Sequence, residues 1–204
     1  MSTKIGFGAL IVLIVLVASA RAADNQDPSA DRKFRARLST CSTCHGGNGV
    51  PKVVGIPIIW GQDADYLLKQ IHDFESGDRD VEIMTYVVKQ IEPEFVGGVM
   101  ANIAKRKWPL TVSGGGAALP PGPPGLAVCK GCHQNNFLGA STPEAKQLAG
   151  GPAPRLAGQN YEYLVRQMNR FAEGELRNSP TMAALMAAIP PADRDAMARY
   201  LSRL

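Results

Sequence analysis

The sequence predicts an all-α fold built twice in tandem. Three observations carry this: no segment sustains the period-two alternation of a strand, the apolar residues of the longer segments recur with a period near 3.6, and the second half repeats the first. Pro57–Gln62 aligns with Pro154–Gln159 at an offset of 97, which also matches Tyr66 with Tyr163, Leu67 with Leu164, Gln70 with Gln167, Phe74 with Phe171 and Gly77 with Gly174. One further residue of offset aligns Met84 with Met182 and Ile91 with Ile189.

The chain opens with Lys4, thirteen uncharged residues from Ile5 to Val17, and the small residues Ala18, Ser19 and Ala20. As a helix at ~1.5 Å per residue that run covers about 20 Å, short of a ~30 Å hydrocarbon core, so residues 1–23 read as an export signal. Their removal takes away Lys4 and Arg21 and leaves 20 basic against 18 acidic residues, a formal charge of +2. That balance, without a basic stripe interleaved with aromatics, argues against nucleic-acid binding.

Residues 24–112 form the first predicted domain. A helix over about Arg32–Thr40 runs into Cys41. A second, Asp65–Glu75, gathers Tyr66, Leu67, Gln70, Ile71 and Phe74 on one face and leaves His72 on the polar one. Gly77 and Gly174 are predicted to end their helices, and Pro93 and Pro191 to open the last ones. The Gly/Pro-rich stretch 113–125 reads as a linker, and 126–204 as the second domain. The cysteine pairs are offset by 88 rather than 97, so the second copy carries nine extra residues within Gln134–Gly151, a candidate partner-specific loop. Between Gly125 and Cys129 there is almost no room for a first helix.

The four cysteines fall as Cys41-Ser-Thr-Cys44-His45 and Cys129-Lys-Gly-Cys132-His133. Two disulfides, a four-thiolate zinc site or a thioredoxin-like pair would each account for the cysteines. None accounts for a histidine after the second cysteine of both pairs, in a chain with three histidines. Cys-x-x-Cys-His is the attachment signal for a c-type haem. On one helical turn both thiols reach the vinyl groups of one porphyrin, and the histidine at i+4 shares their face and offers one axial ligand to the iron. Two covalent haem c groups, on Cys41/Cys44 and Cys129/Cys132, are therefore expected.

The remaining histidine, His72, reads as solvated, so histidine cannot complete both irons. Methionine sulfur is soft and neutral and suits an electron-transfer haem. Met84 and Met182 occupy matching positions and are the expected sixth ligands, with Met186 a rival to Met182; the expectation places them on loops. Met100, Met168, Met186 and Met197 have no counterpart and read as core. The carbonyls of Pro57 and Pro154 are candidate partners for the other ring nitrogens of His45 and His133. Tyr66, Tyr163, Gln62, Gln159 and Trp60 are candidates either to bond haem propionates or to pack.

With Cys41-Ser-Thr-Cys44-His45-Gly-Gly-Asn-Gly49, both Pro-x-x-x-Gly-Gln turns, both Tyr-Leu-x-x-Gln-x-x-x-Phe-x-x-Gly helices and the two downstream methionines, the sequence resembles the dihaem cytochrome c4 family. The resemblance covers nearly all of the chain beyond residue 23. It implies two class I cytochrome c domains with axial pairs His45/Met84 and His133/Met182. It also implies a non-catalytic periplasmic electron carrier, often associated with the membrane surface. Such a carrier takes electrons from a dehydrogenase or a quinol-oxidising complex and feeds a terminal oxidase. Gln134-Asn-Asn in place of the Gly-rich stretch, and Asn102 with Gly97-Gly98 where the second copy has Tyr200, depart from the pattern. These departures raise an alternative: the cytochrome subunit of an exported dehydrogenase, as in flavocytochrome c sulfide dehydrogenase.

Overall fold

The computed structural model describes residues 28–109 and 121–204. The export segment and residues 113–120 of the linker lie outside the described residues. Among the described residues every regular element is helical: α1 (Pro28–His45), α2 (Ala64–Ser76), α3 (Glu82–Val88), α4 (Pro93–Ala104), a 3-10 turn (Leu126–Cys129), α5 (Lys130–His133), α6 (Pro143–Ala149), α7 (Tyr161–Ala172), α8 (Pro180–Ala188) and α9 (Pro191–Leu201).

The repeat is visible in how the helices begin. Asp63 caps α2 by accepting from the Tyr66 backbone N–H at 3.0 Å, and Asn160, 97 residues on, caps α7 by accepting from Tyr163 at 2.9 Å. Pro93 and Pro191 each occupy the first turn of a final helix, where the missing N–H costs nothing.

Each half has its own apolar core. The first gathers Leu67, Ile71 and Phe74 of α2 with Val96, Val99, Met100 and Ile103 of α4. The second gathers Leu164 and Met168 of α7 with Met186 of α8 and Met197, Ala198 and Leu201 of α9. Burying one such side chain stabilises by roughly 1.5–3 kcal/mol. The unpaired methionines thus fill space, as expected of them.

The departures from the repeat acquire reasons. Gly98 lies where a Cβ would come within 3.3 Å of the Phe34 ring, so the glycine lets α1 and α4 cross with the aromatic supplied by α1. In the second half, where one 3-10 turn and α5 replace the long first helix, the aromatic comes from α9: Tyr200 packs against the core that holds Leu126. The extra residues, expected as a partner-specific loop, instead form α6. Its Lys146 ammonium lies 3.0 Å from Asp63 and 2.5 Å from Asp65 at the start of α2, so this insertion clamps one half to the other.

The turn after each Cys-x-x-Cys-His is one structure made from two compositions. In the first copy Gly46 and Gly49 adopt φ +88° and +84°, the Gly49 N–H donates to the Gly46 carbonyl at 3.0 Å, and Val50 N–H donates to Asn48 at 3.1 Å. In the second, Gln134 and Phe137 hold the same positions at φ +68° and +58°. The Phe137 N–H donates to the Gln134 carbonyl at 3.1 Å, and Leu138 N–H to Asn136 at 3.1 Å. The fold imposes the left-handed turn on side chains that disfavour it. At Gln134, with ψ 164°, that backbone region is almost confined to glycine and costs about 1–3 kcal/mol.

Two outcomes follow from these contacts. Gln134→Gly should raise the urea midpoint by the equivalent of about 1 kcal/mol, since part of the relieved strain is lost to the freer unfolded chain. Gly46→Ala should lower it, its Cβ driving into the Val50 carbonyl oxygen. Arg37 grips Glu92, just before α4, through two hydrogen bonds of 2.8 and 2.9 Å, and this guanidinium pulls the Glu92 carboxyl down from 4.5 to about 2. A carboxyl depressed in the folded state stabilises above its unfolded pKa and stops doing so as the pH falls through its folded one. Glu92→Gln should therefore lower the melting temperature at neutral pH, with the gap to wild type closing between about pH 4.5 and 2.

Candidate haem sites and their family

Cys41, Cys44 and His45 occupy the last turn of α1. The hydroxyls of Thr40, Ser42 and Thr43 donate to carbonyls four residues back, which satisfies these poor helix formers within a helix that runs to the motif's end. His45 is 7% exposed, and its Nδ1 lies 2.8 Å from the Pro57 carbonyl oxygen. In the second half His133 is 5% exposed and its Nδ1 lies 2.8 Å from the Pro154 carbonyl oxygen. A carbonyl can only accept, so Nδ1 carries the proton in both rings and Nε2 is the basic nitrogen. Burial pushes both imidazoles below the ordinary histidine range against the opposing pull of the carbonyl, which keeps them neutral. The cysteine pairs lie in separate halves, one in α1 and the other across the 3-10 turn and α5. No cluster of three or more His, Cys, Asp or Glu among the described residues could hold a metal ion, which removes the four-thiolate zinc reading.

The methionines share a helical address rather than a loop. Met84 is the third residue of α3 and Met182 the third of α8, both half-buried. The first turn of each helix holds the backbone: Met84 N–H donates to the Val81 carbonyl at 2.8 Å, and Met182 N–H to Ser179 Oγ at 3.4 Å. Met186, one turn further, is 2% exposed within the second core. His72 is solvent-exposed and pairs with Glu75 at 3.1 Å, as its place on the polar face predicts.

In the first half Cys41, Cys44, His45 and Met84 line one cavity of about 630 Å³, walled by Ile58, Leu67, Ile71 and Phe74 and reaching the boundary between the halves. A flat apolar prosthetic group with acidic edges fits it. At its polar end Arg79 is 6% exposed and bonds neutral groups: Gln70, the Tyr66 hydroxyl, the Tyr163 hydroxyl at 2.8 Å and Gln167 at 3.2 Å. Its Nε is buried without a partner, so this guanidinium has donor capacity and charge to spare for an anion. Beside it, burial pushes the Tyr66 phenol above its ordinary range, which leaves it a neutral donor. Arg79 escaped the sequence reading because it falls where the repeat changes register, between Leu176 and Arg177.

Of the residues that could either bond propionates or pack, Gln62 and Gln159 each bond the backbone of the opposite half (see below), where Ile58 and Arg155 present backbone groups. Trp60 packs: the Arg106 guanidinium stacks on its ring at 4.4 Å, and Gly49 leaves room for its other edge. The carbonyls of Pro57 and Pro154 stand where they were expected.

Residues 126–204 match the Cytochrome c family model. The chain is 30% identical to cytochrome c4 of Pseudomonas aeruginosa over 83% of its own length and 86% of that protein's. It is 27% identical to the thiosulfate dehydrogenase electron acceptor of Stutzerimonas stutzeri, over 95% and 92% of the two chains. The fold is similar to that of cytochrome c4 from Acidithiobacillus ferrooxidans, with a TM-score of 0.65, 25% identity, and 81% and 99% of the two chains covered. Two Cys-x-x-Cys-His turns, an apolar cavity with a spare buried cation and these likenesses converge: the chain belongs to the cytochrome c4 family, dihaem c-type cytochromes that carry electrons and are not themselves enzymes.

Proposed function

We propose that the chain is a periplasmic electron shuttle in which Cys41 and Cys44 hold one haem by thioethers with His45 and Met84 on its iron, and Cys129, Cys132, His133 and Met182 hold the other. The observation that carries this reading is the duplication of one geometry: a buried imidazole 2.8 Å from a prolyl carbonyl in each half, with a methionine at the third residue of the following short helix. Each haem, when bound, supplies a one-electron iron couple that Met/His ligation keeps closed to exogenous ligands. The protein's part is to orient Nε2, to exclude water with the apolar walls, and to offer Arg79 to the acidic edge.

Met182 is favoured over Met186 because it shares Met84's place, whereas Met186 is spent in the core. The boundaries that go with this reading are residues 24–112 and 126–204, joined by the linker 113–125. Residues 1–23 are the signal that sends the chain to the periplasm. Among the described residues no helix is long and apolar enough to cross a membrane; association with its surface would be peripheral. The donor is a dehydrogenase or quinol-oxidising complex and the acceptor a terminal oxidase. Relatives named for accepting electrons from thiosulfate dehydrogenase make such an enzyme the first donor to test. The same names suit a cytochrome subunit of a stable dehydrogenase complex, the second reading.

A pyridine haemochrome assay on the exported protein should count two haems per chain. Met84→Ala and Met182→Ala should each open one iron to carbon monoxide, while Met186→Ala opens none. Carbon monoxide binding by Met186→Ala in place of Met182→Ala would reassign the second ligand. On a sizing column the shuttle elutes free of its donor; co-elution with a dehydrogenase would favour the subunit reading.

A further inference from the structure

The two halves meet through a reciprocal pair of glutamines. Ile58 N–H donates to Gln159 Oε1 at 2.8 Å while Gln159 Nε2 donates to the Ile58 carbonyl at 2.8 Å. Arg155 N–H donates to Gln62 Oε1 at 2.8 Å while Gln62 Nε2 donates to the Arg155 carbonyl at 3.1 Å. Gln62 and Gln159 are related by the offset of 97, as are Ile58 and Arg155, so the contact has the form of a local two-fold. Both glutamines are buried, at 4% and 3% exposure.

The peptide that each glutamine grips has a second occupation. Ile58 N–H belongs to the same peptide unit as the Pro57 carbonyl, which accepts from His45; Arg155 N–H belongs to the same unit as the Pro154 carbonyl, which accepts from His133. A peptide whose N–H donates becomes a stronger acceptor at its carbonyl. A stronger acceptor at Nδ1 makes an axial imidazole more electron-rich and favours the oxidised iron. We infer that Gln159 and Gln62 are positioning residues that tune the opposite half's haem: Gln159 lowers the reduction potential of the haem on His45, and Gln62 that of the haem on His133. The glutamines that dock the halves therefore also set each iron's potential from across the boundary. This rests on the reading of His45 and His133 as axial ligands.

The test is a redox titration of the holoprotein followed by NMR, with each haem assigned through its own methionine methyl. Gln159→Met keeps the side chain's length and volume and removes the amide. It should shift the first haem about threefold toward the reduced state, roughly 30 mV at 59 mV per tenfold for one electron, and leave the second in place. Gln62→Met should do the converse. Lys146→Ala, which loosens the same interface without touching either peptide, should reproduce neither crossed shift. Potentials that stay put, shift together, or move in the half that carries the substitution would overturn the relay, as would a crossed shift in Lys146→Ala. Should neither methionine variant yield holoprotein, amide exchange on the reduced wild type carries the test. Ile58 and Arg155 lie outside any helix, yet their N–H groups should be protected as strongly as core helix amides; exchange at loop rates overturns the relay. Failure of the ligand reading shows separately, in the wild-type spectra and the carbon monoxide binding of the methionine variants.

Discussion

The structure hangs on the hydrogen bond from a buried imidazole to a prolyl carbonyl, made once in each half. A histidine with so little exposure must be neutral and partnered, since an unmade buried bond costs about 1–3 kcal/mol. The bond decides three things together: which nitrogen carries the proton, which way the ring faces, and how the Pro-x-x-x-Gly-Gln turn lies under it. Everything around it serves to hold that alignment. The left-handed turn after the histidine brings the chain back toward the proline; the second half accepts backbone strain at Gln134 and Phe137 to keep the same path.

The halves are joined by means unlike those that fold them. Each core is closed on itself, and the residues that cross the boundary are mostly polar: the two glutamines, Lys146 to Asp63, Lys69 to the Asn178 carbonyl, Arg166 to the Gly55 carbonyl. Individual hydrogen bonds of this kind contribute only about 0.5–1.5 kcal/mol net, but they are directional, and several at fixed spacing define one mutual orientation. A boundary built this way fixes geometry at small cost in apolar surface. It also brings Arg79 from one half against Tyr163 and Gln167 from the other, so the polar end of the first cavity is completed by both copies.

Much of this was readable before any coordinates. Cys-x-x-Cys-His carries its own geometry, because i, i+3 and i+4 share a helical face whatever surrounds them. The duplication did the rest: a residue present twice at one offset is held there by a shared role, which separated Met84 and Met182 from the methionines that fill the cores and pointed to the carbonyls of Pro57 and Pro154. His72 declared itself by the polar face it shares. What escaped were features that one copy holds alone or that need both copies at once. Arg79 has no clear counterpart, and α6 looked like a loop because its anchoring partners, Asp63 and Asp65, lie some eighty residues away. The glutamines stood only as candidates to bond propionates or to pack, because a linear pattern cannot say that each reaches into the other half.

The sequence by itself determined the helical class, the tandem repeat and the chemistry of attachment, because these depend on short-range spacing and on residue types with few alternative uses. Only the tertiary structure decided how the copies face one another, which glycine makes room for Phe34, and which peptide each glutamine holds. Those depend on where distant segments of backbone leave donors and acceptors unpaired, a quantity that exists only once the chain has folded.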